Sequence, residues 1–177
     1  TEDHKYFILG DEVDEQSFGF NTKTVIVDMT DLDAPVLKWN YNGQTPAIDH
    51  NGYTKGNDFY LANYRAGLRI MDISNLDSAN MNEVGFFDTF PTSNSNQFNG
   101  AWSVYPYFAS GSIIISDIER GLFVVKKNAI LSNDSFSNLN ISIYRQVGRS
   151  LTQSYILLIR LDTNISFLDF IIQYAIS

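Results

Sequence analysis

An all-β fold assembled from blade-like repeats is predicted by three features of the sequence. The chain has 177 residues, of which 14% are aromatic, with 10 Tyr and 13 Phe, a composition that favours half-buried pleated surfaces over helix bundles. Three short β-branched runs of one design recur along it: Thr24-Val-Ile-Val-Asp-Met-Thr30, Gly67-Leu-Arg-Ile-Met-Asp-Ile-Ser74 and Gly121-Leu-Phe-Val-Val-Lys-Lys127. Two of these runs follow turns that match residue by residue, Asn63-Tyr-Arg-Ala-Gly67 and Asp117-Ile-Glu-Arg-Gly121.

The spacing fixes the size of the repeat. Gly67 and Gly121 lie 54 residues apart and Asp28 and Asp72 lie 44 apart, while four-stranded propeller blades repeat at roughly 40 to 50 residues. A β-sandwich also uses short strands and turns, but it does not require a shared turn at this period. The fold expected is therefore a partial β-propeller, two to three blade-like repeats of a larger propeller, followed by an irregular C-terminal tail. Blades bury their faces only against other blades, so an internal fragment of a longer chain is expected.

Taken in order, Tyr6 to Leu9 reads as the first strand and Asp11 as its turn residue, with Glu12 to Asn21 an insertion lengthening that turn. The Thr24 run follows, then the turn-rich linker Thr30-Asp-Leu-Asp-Ala-Pro35 and a strand at Val36 to Tyr41. The second repeat places strands at Phe59 to Ala62, at the Gly67 run and at Asn82 to Asp88, with Ser74-Asn-Leu-Asp-Ser78 as its linker. The third places Ser112 to Ser116 before the Gly121 run. In each turn, Gly supplies the conformation and Asn or Asp bonds the local backbone.

Charge and composition exclude some functions. A net charge of −8, from 20 acidic and 12 basic residues, repels phosphate backbones, so nucleic acid is not expected as a partner. There is no cysteine, hence no disulfide or thiolate site. The most apolar stretch, Tyr155 to Tyr174, is broken by Arg160, Asp162 and Asp169 and does not read as a membrane span.

Thr24-Val-Ile-Val-Asp28 is close to the LVIVD repeat. Together with it, Ile48-Asp-His-Asn51, Ala62-Asn-Tyr-Arg-Ala-Gly-Leu-Arg-Ile70 and Asn99-Gly-Ala-Trp102 resemble the bacterial choice-of-anchor B family. The likeness covers Lys5 to about Lys127. It implies a propeller-like fold in a secreted or cell-surface protein, with residues 1–127 as a partial LVIVD-type propeller, 128–138 as a linker and 139–177 as a divergent tail. Phe136-Ser-Asn-Leu-Asn-Ile-Ser-Ile-Tyr144 resembles the start of a type IX secretion sorting domain, but Arg145-Gln-Val-Gly-Arg-Ser150 follows where that domain has Tyr-Pro-Asn-Pro. Two readings of the tail stand: a degraded or frameshifted sorting domain, or an ordinary hydrophobic helix or strand pair.

Candidate site residues fall in turns and at strand starts. Asp11, Glu12, Asp14 and Glu15 put four carboxylates in five residues, a density suited to a hard cation such as calcium, and Asp11, Glu12 and Asp14 are the candidate metal ligands. The run lacks the EF-hand pattern, and its structural alternative is a solvated acidic turn. His50 and Asn51 precede the outer strand of the second repeat, and Asn99 and Trp102 precede that of the third. Tyr64, Arg65, Glu119 and Arg120 occupy the matched turns, where a rigid scaffold presents loops. Arg65 and Arg120 suit carboxylate ligands, and Tyr64 and Trp102 suit a sugar or peptide. The structural alternatives are a hydrogen-bonded core histidine at position 50 and an Arg–Glu pair that fixes blade packing.

No nucleophile elbow, phosphate loop, dinucleotide fingerprint or His-Glu-x-x-His zinc site occurs in the sequence. The function expected is a noncatalytic secreted or cell-surface module that binds protein or glycan. The alternative is a secreted hydrolase working through acidic residues on the propeller face, with Asp117 and Glu119, or Asp11 and Asp49, as its acid–base pair.

Overall fold

A computed structural model describes residues 1–127, 142–144 and 158–160. The chain forms two units, Thr1–Ala129 and Ile130–Ser177.

The first unit is all-β apart from two single turns of helix. Its first sheet orders β1 (Tyr6–Gly10), β2 (Lys23–Asp28) and β3 (Val36–Asn42); its second orders β4 (Asn51–Lys55), β5 (Asp58–Ala62), β6 (Leu68–Asn75) and β7 (Asn80–Phe87); its third orders β8 (Ala101–Tyr105), β9 (Ser112–Asp117) and β10 (Gly121–Lys126). All pairings are antiparallel between sequence neighbours, and no sheet closes on itself. The strands expected in all three repeats form. The outer strands β4 and β8, anticipated only through the residues at their starts, complete the second and third sheets.

Register makes the repeat explicit. Ile8 pairs with Ile26, Tyr60 with Ile70, and Ile114 with Val124, so these pairs hold equivalent positions. The turns Asn63–Gly67 and Asp117–Gly121 have equal length and join equivalent strands. In the first, Ala66 N donates to Asn63 O and Gly67 N to Tyr64 O; in the second, Asp117 Oδ1 accepts from Glu119 N and Arg120 N. Gly67 and Gly121 take φ of 76° and 82°, a region that only glycine enters at little cost. The Glu12 to Asn21 insertion folds into a short helix, α1 (Asp14–Phe18), ended by Gly19 at φ 71°.

Alternation along the strands sends successive side chains to opposite faces, and the second sheet uses both. Phe59, Leu61, Met71 and Ile73 join Tyr6 and Ile26 of the first sheet in one core. Tyr60, Ala62, Leu68 and Ile70 join Ala101, Val104, Ile113 and Ile115 of the third sheet in another. Polar ties reinforce the first contact: Trp39 Nε1 donates to Leu76 O at 3.0 Å and Lys5 Nζ pairs with Asp77 at 2.7 Å.

In the second unit, β11 (Ser142–Tyr144) pairs antiparallel with β12 (Leu158–Arg160). The expected linker at 128–138 and most of the tail, including the start of the suggested sorting segment, lie outside the described residues.

Candidate binding site

Equivalent positions in neighbouring repeats meet at one end of the sheets. Asn51 pairs with Ala62, and Ser103 with Ser116, so His50 and Trp102 each stand one residue ahead of equivalent strand positions. Their rings lie 4.7 Å apart. Tyr64, in the turn between β5 and β6, reaches the same place, with its ring 5.0 Å from His50 and 6.0 Å from Trp102. Phe98 closes the group edge-on to Tyr64 at 5.3 Å.

The backbone beneath is held tightly. Tyr64 adopts φ 32°, a left-handed conformation costly for an aromatic residue and one that marks strained, over-determined positions. Ala101 N donates to Tyr64 O at 2.9 Å. Gly100, at φ 86°, lies where a Cβ would collide with that same carbonyl. The close approach of the third sheet to the second-sheet turn therefore requires glycine at 100.

A polar centre sits among the rings. Glu12 Oε1 is in direct contact with His50 Nδ1 and accepts from the Tyr64 hydroxyl at 3.3 Å. An ionised carboxylate can only accept, so the imidazole proton belongs on Nδ1, leaving Nε2 an acceptor when the ring is neutral. Burial holds the His50 pKa below its ordinary value and raises that of Tyr64, since both charged forms lose hydration. Asn51 Nδ2 donates to Trp102 O at 3.1 Å, tying the two strand starts together. Tyr64 is buried, but Trp102 is 49% exposed and Phe98 43% exposed. The corner thus offers two open aromatic faces around a hydrogen-bonding centre.

Not every expected residue belongs to it. Arg65 and Glu119 grip the loop before β8 instead. Arg65 Nε donates to Asn99 Oδ1 at 3.0 Å and Nη1 to Ser95 Oγ at 2.6 Å, with the guanidinium stacked 4.8 Å over Phe90. Glu119 accepts from Asn99 Nδ2 and from Gly100 N. Arg65, Asn99 and Glu119 therefore form a packing brace between turns, the structural alternative for this pair, with Asn99 as the bridge. Arg120 lies 5.7 Å over the same Phe90 ring.

The acidic run divides rather than converging. Asp11 Oδ1 accepts from Val13 N as a turn cap, Glu12 joins His50, and Asp14 pairs with Lys23 Nζ at 2.9 Å. Among the described residues, no group of three or more His, Asp or Glu side chains is arranged to hold a metal ion. Asp11 and Glu12 lie in the turn before α1 and Asp14 opens the helix, and each carboxylate is engaged by a different partner.

The hydrolase candidates are each engaged within the fold. Asp117 serves its own turn and Glu119 the brace, while Asp49 is fully buried and accepts from Thr24 Oγ1 at 2.7 Å. Sequence reasoning missed Phe98, Phe90 and the loop between β7 and β8, and assigned Glu12 to a metal. The signal for Phe98 was its place just ahead of Asn99-Gly-Ala-Trp102.

Comparison with known families matches residues 54–89 to the LVIVD repeat, so the second sheet carries one such repeat. The matched stretch contains Leu68-Arg-Ile-Met-Asp72, whose register equivalent in the first sheet is Thr24-Val-Ile-Val-Asp28. No curated protein and no solved structure matches the chain. Among the described residues, no helix is long and apolar enough to cross a membrane.

Proposed function

We propose that this chain is a noncatalytic β-propeller module, secreted or held at a bacterial cell surface, that binds a protein or glycan at the corner formed by His50, Tyr64, Phe98 and Trp102. The propeller reading is supported by three sheets of one register stacked in chain order. Surface placement and membership of the choice-of-anchor B family are supported by the sequence likeness from Lys5 to Lys127, and the sorting role of the tail by that of Phe136 to Tyr144.

One observation carries the binding assignment: an exposed indole and an exposed phenyl flank a centre able to donate and accept hydrogen bonds. Open aromatic faces stack on sugar rings or peptide side chains, and neighbouring polar groups set orientation. Arg65, Asn99 and Glu119 act beneath this surface by holding the loop that carries Phe98.

Tryptophan fluorescence tests the assignment, because Trp39 and Trp102 are the two tryptophans and Trp39 is hydrogen-bonded and packed, partly buried, against the first core, away from the corner. Titration with soluble oligosaccharides (cellohexaose, chitohexaose, yeast mannan) and with collagen and fibronectin fragments is expected to shift Trp102 emission for at least one probe. Trp102→Ala should then weaken that probe at least about tenfold, or ~1.4 kcal/mol, without lowering the melting temperature. Silence across all probes, or undiminished binding by Trp102→Ala, counts against the site.

A further inference from the structure

Hydrogen bonds inside the corner between the second and third sheets use up donors and leave acceptors. The Nδ1–H of His50 and the Tyr64 hydroxyl are both turned to Glu12 Oε1, and the Asn51 amide donates to Trp102 O. Glu12 Oε2 and His50 Nε2 have no hydrogen-bond partner among the described residues and stay within reach of solvent. One is a carboxylate oxygen, and the other is a ring nitrogen that accepts while the imidazole is neutral. Between the rings, therefore, the ligand must bring the hydrogens.

Charge narrows the class further. Arg65, next to Tyr64 in the turn, spends its guanidinium on Asn99, Ser95 and the Phe90 ring, and Lys23 pairs with Asp14. Among the described residues Glu12 pairs with no Lys or Arg, and the chain as a whole carries a net charge of −8. An anionic ligand meets repulsion there, and a neutral one leaves the carboxylate unanswered. A cation with several N–H donors answers both demands. The exposed rings of Trp102 and Phe98 favour the same class, because an aromatic face attracts a cation. A guanidinium suits the corner best, since its plane stacks on an aromatic ring while its fork of donors meets a carboxylate.

We propose that the corner binds an arginine side chain on a basic segment of a partner protein, with the guanidinium stacked on Trp102 and its N–H groups on Glu12 and His50. This rests on the corner being the binding site, and narrows its ligand from protein or glycan to a cationic peptide.

Calorimetric titration of the full chain with an acetylated, amidated Gly-Arg-Gly-Arg-Gly peptide tests this, against the same peptide carrying Gln or Glu in place of Arg and against cellohexaose. The arginine peptide is expected to bind and to shift Trp102 emission, and the Gln and Glu peptides to bind at least about tenfold more weakly. That comparison uses the unmodified chain, so it decides even where a variant fails to fold. Glu12→Gln keeps the shape of the side chain without its charge and should weaken the arginine peptide about tenfold or more. Asp33→Asn removes the same charge from the exposed linker between β2 and β3 and should leave binding unchanged. Trp102→Ala should lose the arginine peptide, with circular dichroism melts checking that it keeps its fold. An arginine peptide that does not bind, a Gln peptide bound as tightly, or a folded Glu12→Gln no weaker than Asp33→Asn overturns the proposal. If cellohexaose shifts Trp102 emission and the arginine peptide does not, the corner stands as a site and the cationic ligand falls.

Discussion

Burial leaves Asp49 and Glu15 each with one carboxylate oxygen lacking a hydrogen-bond partner. Asp49 fits against the first sheet because Gly10 is bare there; a Cβ on Gly10 would come within 2.9 Å of its carboxyl group. Loss of hydration raises both carboxyls to about 7, and the charge of Asp14 adds to each shift. The folded state therefore holds protons that the unfolded chain has released between the ordinary carboxylate range and about 7. Stability is fully present below that ordinary range and is lost as pH rises through the folded value. The melting temperature should fall from about pH 5 to about pH 8, opposite to ordinary acid unfolding. Asn at 49 keeps the shape without the charge, so Asp49→Asn should melt higher than the parent at the alkaline end and flatten the slope. Calorimetric scans across the range check this, and a flat profile in the parent chain would contradict it. None of this was legible in the sequence, where Asp49 stood only as a possible acid–base partner of Asp11 on the propeller face. Burial of a carboxylate depends on a glycine 39 positions upstream, and no local pattern announces it.

The strand is the scale at which the sequence was most readable. Ile113-Ile-Ile115 in β9 is an unbroken apolar run, yet its members do different work because the pleat alternates them. Ile115 is fully buried against the second sheet, whereas Ile114 is only partly covered on the other face. Ile115→Ala removes packed methyl groups that cannot be replaced by water, and should cost about 2–5 kcal/mol. Ile114→Ala, in the same strand with the same chemistry, should cost about 1 kcal/mol. Urea unfolding of the two variants measures the contrast, and equal losses would refute the face assignment. Strands β2, β6 and β10 were found from β-branched runs. By contrast β4, Asn51-Gly-Tyr-Thr-Lys55, has neither such a run nor strict alternation, and only its pairing with β5 makes it a strand. Helix α1 was likewise hidden, since a five-residue helix rests on its neighbours and not on propensity. The matched turns were legible because five residues must place one glycine at positive φ and one polar side chain on the backbone. Which residues of those turns face a ligand was not: Arg65 and Glu119 have the chemistry of a site and the contacts of a brace.

Across the whole first unit, the order of burial sets the order of stability. The second sheet is packed on both faces by the two apolar clusters, while among the described residues the first and third are each packed on one. Local opening needs least free energy where few apolar contacts are lost. Amides of β5 and β6 should therefore exchange with solvent most slowly, at least about tenfold behind those of β1 and β10. Both outer strands lie at sheet edges, and their open faces add little protection. Hydrogen exchange read by mass spectrometry on peptides covering the four strands measures the gradient. Uniform protection in all four strands at low concentration would mean that the outer sheets are already covered, and the stacking order derived from register would have to be redrawn.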